Sequence, residues 1–282
     1  MAKQDSRVWL ITGCSTGFGR ELAKAVLERG DRAIVTARRT ETVRDLVEGR
    51  KGQAIALRLD VTNQESMRYS VVVGADTFGR IDVLVNNAGI GYFGSIEESD
   101  ENEVRRMFEI NFWGLTQMTR TVLPMMRARR SGHIVNIASI GGLRAFPALG
   151  YYNASKFEVV GFSEALALET APLGIRVTIV EPSGFRTDWA GRSAAEASTQ
   201  IADYAATAAK NLASLRGNSG RQPGDPARAA AAIIQAVESD QPPPHLLLGR
   251  AALRGARQKV ESMTRDFDAW AQVTEGADFP AA

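Results

Sequence analysis

Arg7-Val8-Trp9-Leu10-Ile11-Thr12-Gly13-Cys14-Ser15-Thr16-Gly17-Phe18-Gly19 carries the chain from a short apolar run into a cluster of glycines. Arg7 to Ile11 is largely apolar, with β-branched and aromatic members, and stops at Thr12-Gly13, as a buried strand does. Phe18, Leu22, Ala25, Val26 and Leu27 then recur near a helical period, with Gly30 as a stop. The opening unit therefore reads strand, glycine turn, helix. Clustered glycines let backbone approach a pyrophosphate whose charge rests on the helix N-terminus. The spacing here is G-x-x-x-G-x-G rather than the common G-x-G-x-x-G, and a purely structural strand-to-helix turn explains this stretch alone as well.

The same rhythm continues outward. Strands are expected at Arg32–Ala37, Ala54–Leu59, Ile81–Val85, Gly132–Ala138, Ile175–Val180 and His245–Leu248, with helical spacing between them. Alternation of this kind means crossover units and a parallel sheet covered on both faces. Ligands of such sheets bind at the carboxyl ends of the strands. Several polar stretches fall there. Arg38 and Arg39 follow the second strand, with no Asp or Glu between Arg32 and Thr40. Arginine at that place accommodates a 2′-phosphate, whereas an acid would bind ribose hydroxyls; two solvated arginines are the plainer alternative. Asp60, followed by Val61, is placed to accept from an adenine amino group, although it or Asn63 could instead cap the helix starting near Gln64. Asn86-Asn87-Ala88-Gly89 can pack a flat ring while bracing neighbouring backbone. A long helical segment from Glu101 carries Asn111 on its apolar face, and Pro124 is expected to kink or end it before Arg130.

Tyr152-Asn-Ala-Ser-Lys156 puts a phenol and an ammonium one helical turn apart on one face. A nearby cation favours the phenolate and brings a tyrosine toward general acid or base work. An exposed amphipathic helix with the same two residues is the bland reading. Ser139 closes the strand before it, and His133, at the start of that strand, is set aside as a catalytic group. Tyr92, Phe93, Leu143, Phe146, Phe185 and Trp189 lie just beyond strand ends and suggest an apolar pocket for a hydrophobic carbonyl or alcohol. The Ala- and Ser-rich stretch 188–224 reads as a lid over the substrate or a surface insertion. A charged, amphipathic tail follows Arg250.

Composition narrows the classes. With 282 residues, 44% hydrophobic and 23% charged, the chain fits one large α/β domain with a C-terminal extension. Thirty-four basic against 32 acidic residues argue against a nucleic-acid surface. One cysteine and two histidines leave no internal disulfide and no Cys- or His-rich metal site. The N-terminal residues lack the apolar core of a signal peptide, and no window is long and apolar enough to span a membrane. A cytoplasmic location is the expectation.

Taken together, Thr12-Gly13-x-x-x-Gly17-x-Gly19, Asp60, Asn86-Asn87-Ala88-Gly89, Asn111, Ser139, Tyr152-x-x-x-Lys156, and Pro182-Ser183-Gly184 with Thr187 resemble the short-chain dehydrogenase/reductase family over residues 6 to 250. The wording Thr-Gly-Cys-Ser-Thr-Gly-Phe-Gly is similar to its 17β-hydroxysteroid and retinol dehydrogenase branch. Ser183 departs from the Pro-Gly common in the family. The resemblance implies a single doubly wound Rossmann domain over 1–250 with a seven-stranded parallel sheet, and a helical extension over 251–282. It implies a homodimer or homotetramer formed through the Tyr152 helix and its predecessor. Gly13, Ser15, Thr16, Gly17, Phe18, Gly19, Arg38, Arg39, Asp60, Val61, Asn87, Ala88, Gly89, Pro182, Gly184 and Thr187 would hold NADP(H), with NAD(H) as a lesser option. Ser139 would hydrogen-bond the substrate oxygen and Tyr152 exchange a proton with it. Lys156 would lower the Tyr152 pKa and hold the nicotinamide ribose, and Asn111 would anchor a water. Two rivals share these motifs. A dinucleotide-binding sensor or scaffold would keep the fold without the chemistry, and a related epimerase or dehydratase would need a larger C-terminal domain.

Overall fold

The computed structural model describes residues 6–279; residues 1–5 and 280–282, to which the expected domain limits and the expectation about the N-terminal segment extend, lie outside that range. Nine strands and nine α-helices alternate along these residues. Strands β1 (Val8–Ile11), β2 (Arg32–Ala37), β3 (Ala54–Arg58), β4 (Val83–Asn86), β6 (Gly132–Ile137), β7 (Ile175–Pro182) and β9 (His245–Leu248) form one sheet in the order β3-β2-β1-β4-β6-β7-β9. Every pair in it is parallel. The other two, β5 (Gly91–Phe93) and β8 (Ala194–Glu196), make a separate parallel ribbon. The order reverses between β1 and β4, and that switch point opens a crevice at the carboxyl ends.

Strand composition explains the layering. Val8, Trp9, Leu10 and Ile11 are all fully buried, as are Val83 to Val85. Alternate residues serve opposite faces, so Trp9, Ile11, Val35 and Val180 join one core and Leu10, Ile34, Leu84 and Ile134 the other. Helices α1 (Gly17–Glu28) and α8 (Pro226–Glu238), with the short α2 (Arg44–Val47), cover the first face. Helices α3 (Gln64–Phe78), α5 (Gly114–Arg129) and α6 (Gly150–Thr170) cover the second. Helices α4 (Glu101–Phe108), α7 (Lys210–Gly217) and α9 (Arg250–Glu275) complete the set.

Two expectations sharpen. The helix that begins at Glu101 passes through a π-helical turn, Glu109–Trp113, and continues as α5 to Arg129, with Pro124 inside it. The carbonyl that a proline leaves unpaired is the one four residues earlier. Here it belongs to Arg120, an exposed residue. The cap question resolves as well: Asn63 Oδ1 accepts from Ser66 N at 2.8 Å and caps α3, which leaves Asp60 to the crevice. The β5–β8 ribbon has no counterpart in the sequence pattern. Three-residue strands are too short to show alternation. None of the described helices is long and apolar enough to cross a membrane.

Candidate active site

The glycine turn between β1 and α1 is held from the neighbouring strand end. Thr12 Oγ1 accepts from Asn87 N and Ala88 N, each at 2.9 Å. Asn87 Nδ2 donates to Thr12 O at 2.8 Å and Gly13 O at 3.0 Å. Gly13 and Gly17 take φ of +71° and +61°, which side chains resist. At Gly19 a Cβ would stand 2.4 Å from Asn87 Nδ2 and 2.6 Å from Gly13 O, so the turn closes only on glycine. The N-cap residue of α1, Thr16, makes no side-chain cap. The helix therefore presents unsatisfied N–H groups toward the crevice, the arrangement that receives a phosphate. This cradle fits the pyrophosphate of a dinucleotide.

Arg38, Arg39, Asp60, Val61 and Thr62 continue the same wall. Asp60 Oδ1 accepts from Thr62 N at 3.0 Å and Thr62 Oγ1 at 2.7 Å. Burial pushes its carboxyl up, but those bonds and the cations of Arg38 and Arg58 outweigh burial and hold it below the usual range. An ionised acceptor remains at neutral pH.

At the other end, helix α6 turns Tyr152, Ser155 and Lys156 inward, all buried. Lys156 Nζ donates to Ile137 O at 2.9 Å. Ser139 Oγ accepts from Gly141 N at 3.0 Å, which fixes the oxygen and leaves its own O–H to donate. The π-turn has a cause in Asn111. Its Oδ1 accepts from Ile90 N at 2.8 Å, while its Nδ2 donates to Ile90 O at 2.9 Å and Ser155 Oγ at 3.2 Å. A helix residue thus pairs with the strand-end backbone as another strand would.

Burial dominates both proton affinities here. Burial pushes the Tyr152 phenol up to about 12, with the Ser139 hydroxyl pulling the other way. Burial brings Lys156 down to about 8. The Lys156 ammonium points to Ile137 O and lies 5.9 Å from the phenol ring centre. His133 is buried below the site, with Nε2 2.9 Å from Thr178 Oγ1 and its pKa pushed down to about 4 by burial.

One cavity of about 1650 Å³ joins the cradle to Ser139, Tyr152 and Lys156. Single-ligand pockets are typically about 300–1,000 Å³, so two ligands fit. Gly13, Ser15, Thr16, Gly17, Phe18, Asn87, Ala88, Gly89, Pro182, Gly184 and Thr187 line it; Gly19 and Asn111 stand behind the wall. Phe146, Phe185 and Trp189 line it too, with the Trp189 ring 4.8 Å from that of Tyr152. Tyr92, Phe93 and Leu143 do not. Tyr92 is spent accepting a hydrogen bond from Asp100 N, Phe93 is fully buried beneath Trp189, and Leu143 packs against Val159 and Val160. Ser183 donates to Leu248 O at 3.3 Å, anchoring its turn to β9. Sequence reading missed Ile90, Arg144, Leu149, Arg254 and Gln258 in the wall. Arg254 and Gln258, one turn apart on α9, carried no motif at all.

The short chain dehydrogenase profile matches residues 7–198. The 3-ketodihydrosphingosine reductase of Bacteroides thetaiotaomicron is 39% identical over 239 residues, covering 84% of this chain and 86% of its own. A short-chain dehydrogenase from Streptomyces avermitilis superposes with a TM-score of 0.91 at 41% identity, covering 98% of this chain and all of its own. A short-chain dehydrogenase/reductase from Burkholderia phymatum in complex with NAD gives a TM-score of 0.80 at 26% identity, covering 94% and 97%.

Proposed function

The chain belongs to the short-chain dehydrogenase family and is an oxidoreductase dependent on a nicotinamide dinucleotide; from that premise we propose that it interconverts a hydrophobic ketone or aldehyde and its alcohol, using NADP(H) in preference to NAD(H). One observation carries this reading: Ser139, Tyr152 and Lys156 are buried together at the end of the same cavity that the glycine cradle opens. When bound, the nicotinamide supplies or accepts the hydride. The protein's part is to orient the substrate and to manage its proton. Ser139 donates a hydrogen bond to the substrate oxygen. Tyr152, protonated throughout the neutral range, gives its proton to that oxygen in reduction. Lys156, still mostly charged at pH 7, holds the ribose and favours the phenolate left behind. Asn111, already paired to Ile90 and Ser155, orders the water route to Lys156. Phe146, Phe185 and Trp189 exclude water around the reacting carbon, and the segment 188–224 closes over it as a lid. The relative named 3-ketodihydrosphingosine reductase supports the hydrophobic class.

The NADP(H) preference rests on Arg38 and Arg39 in the wall where an NAD enzyme would carry an acid. Parallel titration with NADPH and NADH, followed by nicotinamide fluorescence, tests it. Tighter NADPH binding by tenfold, about 1.4 kcal/mol, is the expected result. Replacing both arginines with alanine should erase that difference. Equal affinities in the wild type would overturn the preference.

A further inference from the structure

Helix α9 is 26 residues long, about 39 Å, yet only Ala252 and Gly255 are buried. Its first turns sit on the cavity mouth, where Gly255 faces Ile140 and Arg144 Nη1 donates to Gln258 Oε1 at 2.8 Å. From Met263 onward every described residue is exposed. An amphipathic helix normally owes its stability to a buried apolar face. Here that face is bare. Leu253, Ala256, Val260, Met263, Phe267 and Trp270 recur at alternating steps of three and four, a seam about 100° wide of the kind two helices bury between them. Val260 is 65% exposed, Phe267 62% and Trp270 64%.

Charge says what covers it. Arg250, Arg254, Arg257 and Lys259 are the only charged residues in the first ten positions. Beyond them Glu261, Asp266, Asp268, Glu275 and Asp278 face a single base, Arg265. A helix basic in one half and acidic in the other complements a copy of itself laid antiparallel and repels one laid parallel. Flanking the seam, Lys259 and Asp266 fall on one side and Arg257 and Glu275 on the other. An antiparallel pairing along the seam brings Lys259 toward Asp266 of the opposite helix.

We propose that α9 is an association arm, and that its occupant is the α9 of a second copy of this chain, packed antiparallel along the Leu253-to-Trp270 seam. The contact is separate from the α5 and α6 faces to which the family resemblance points. It also sets a partner's helix beside the mouth that Arg254 and Gln258 line.

The test uses the full chain. Its one native thiol, Cys14, is fully buried, with its pKa pushed up to about 12 by burial, and does not compete for a maleimide. Two variants, Leu253→Cys and Thr274→Cys, are made with distinguishable tags and treated with a short bis-maleimide, separately and mixed. Antiparallel pairing gives the mixed cross-link and little of either self-product. Adding Phe267→Glu and Trp270→Glu should weaken the contact by at least about thirtyfold, the loss typical of removing one central aromatic anchor, and abolish the mixed product. The proposal is overturned by self-products at Leu253→Cys, by no cross-link in any combination, or by a mixed product that survives the double glutamate change. Co-flotation of the wild type with phosphatidylglycerol vesicles in the absence of cross-linking also overturns it, since a membrane would then be what covers the face.

Discussion

The Tyr152 phenol and the Lys156 ammonium share one buried site, and burial favours the uncharged form of each. Their signs differ. Between about pH 8 and its ordinary 10.5, Lys156 is neutral in the folded protein and charged in the unfolded one, so its contribution to stability rises with pH there. Tyr152 keeps its proton between 10 and about 12 while the unfolded chain loses it, so its contribution falls as pH climbs through that range. Below pH 8 the lysine is a buried charge with one backbone partner. Lys156→Met should therefore raise stability at pH 7 by about 1–3 kcal/mol, with the gap narrowing by pH 9.5; denaturant unfolding of both proteins at the two pH values measures it. A variant less stable at pH 7 would show the bond to Ile137 O outweighing desolvation. Tyr152→Phe should abolish turnover and leave dinucleotide affinity nearly intact. Retention of a tenth of the activity would remove Tyr152 from the acid role, since general acid catalysis typically supplies about a hundredfold or more. The identity of this pair was legible in Tyr-x-x-x-Lys. The proton affinities were not, because sequence spacing reports proximity and says nothing of the dielectric around it.

At the scale of elements, the glycine turn and the segment 188–217 carry opposite kinds of constraint. The turn is closed by contact: Gly19→Ala puts a methyl against Asn87 Nδ2 and Gly13 O, and should cost about 1–3 kcal/mol of stability together with at least a tenfold loss of dinucleotide affinity. Thermal unfolding and fluorescence titration read the two effects separately. The segment from Ala190 to Glu196 is tied down by one side chain. Arg216 donates to Ala190 O, Gly191 O and Ala194 O at 2.7–3.0 Å, pairs with Glu196, and stacks 4.8 Å over Phe93. Arg216→Ala should make residues 188–217 the first site of limited proteolysis and raise KM severalfold with dinucleotide affinity unchanged. An unchanged KM would remove the segment from substrate binding. The turn could be read from its glycines because backbone conformation is written locally. The Arg216 clamp could not: its partners are carbonyls, which every residue has, brought near by the β5–β8 pairing of two three-residue strands.

For the molecule as a whole, the sheet was legible because each of its seven strands is a largely apolar run that stops at a polar residue or glycine, and the crossovers admit few topologies. What the pattern concealed was the cavity's far wall, built from helix α9 at the end of the chain. The sheet order carries one more consequence, for synthesis. Strands β1 to β4, the glycine turn and its Asn87 brace all lie before residue 90, so the cradle half is complete in sequence well before β6, β7 and α6 have left the ribosome. Until β6 arrives, β4 is an open edge, with Val83, Leu84 and Val85 ready to pair with any strand that reaches them. The nascent chain therefore passes through a stage in which a nucleotide could already be held while the groups that would use it do not yet exist, and in which a chaperone has more to guard than in the finished protein.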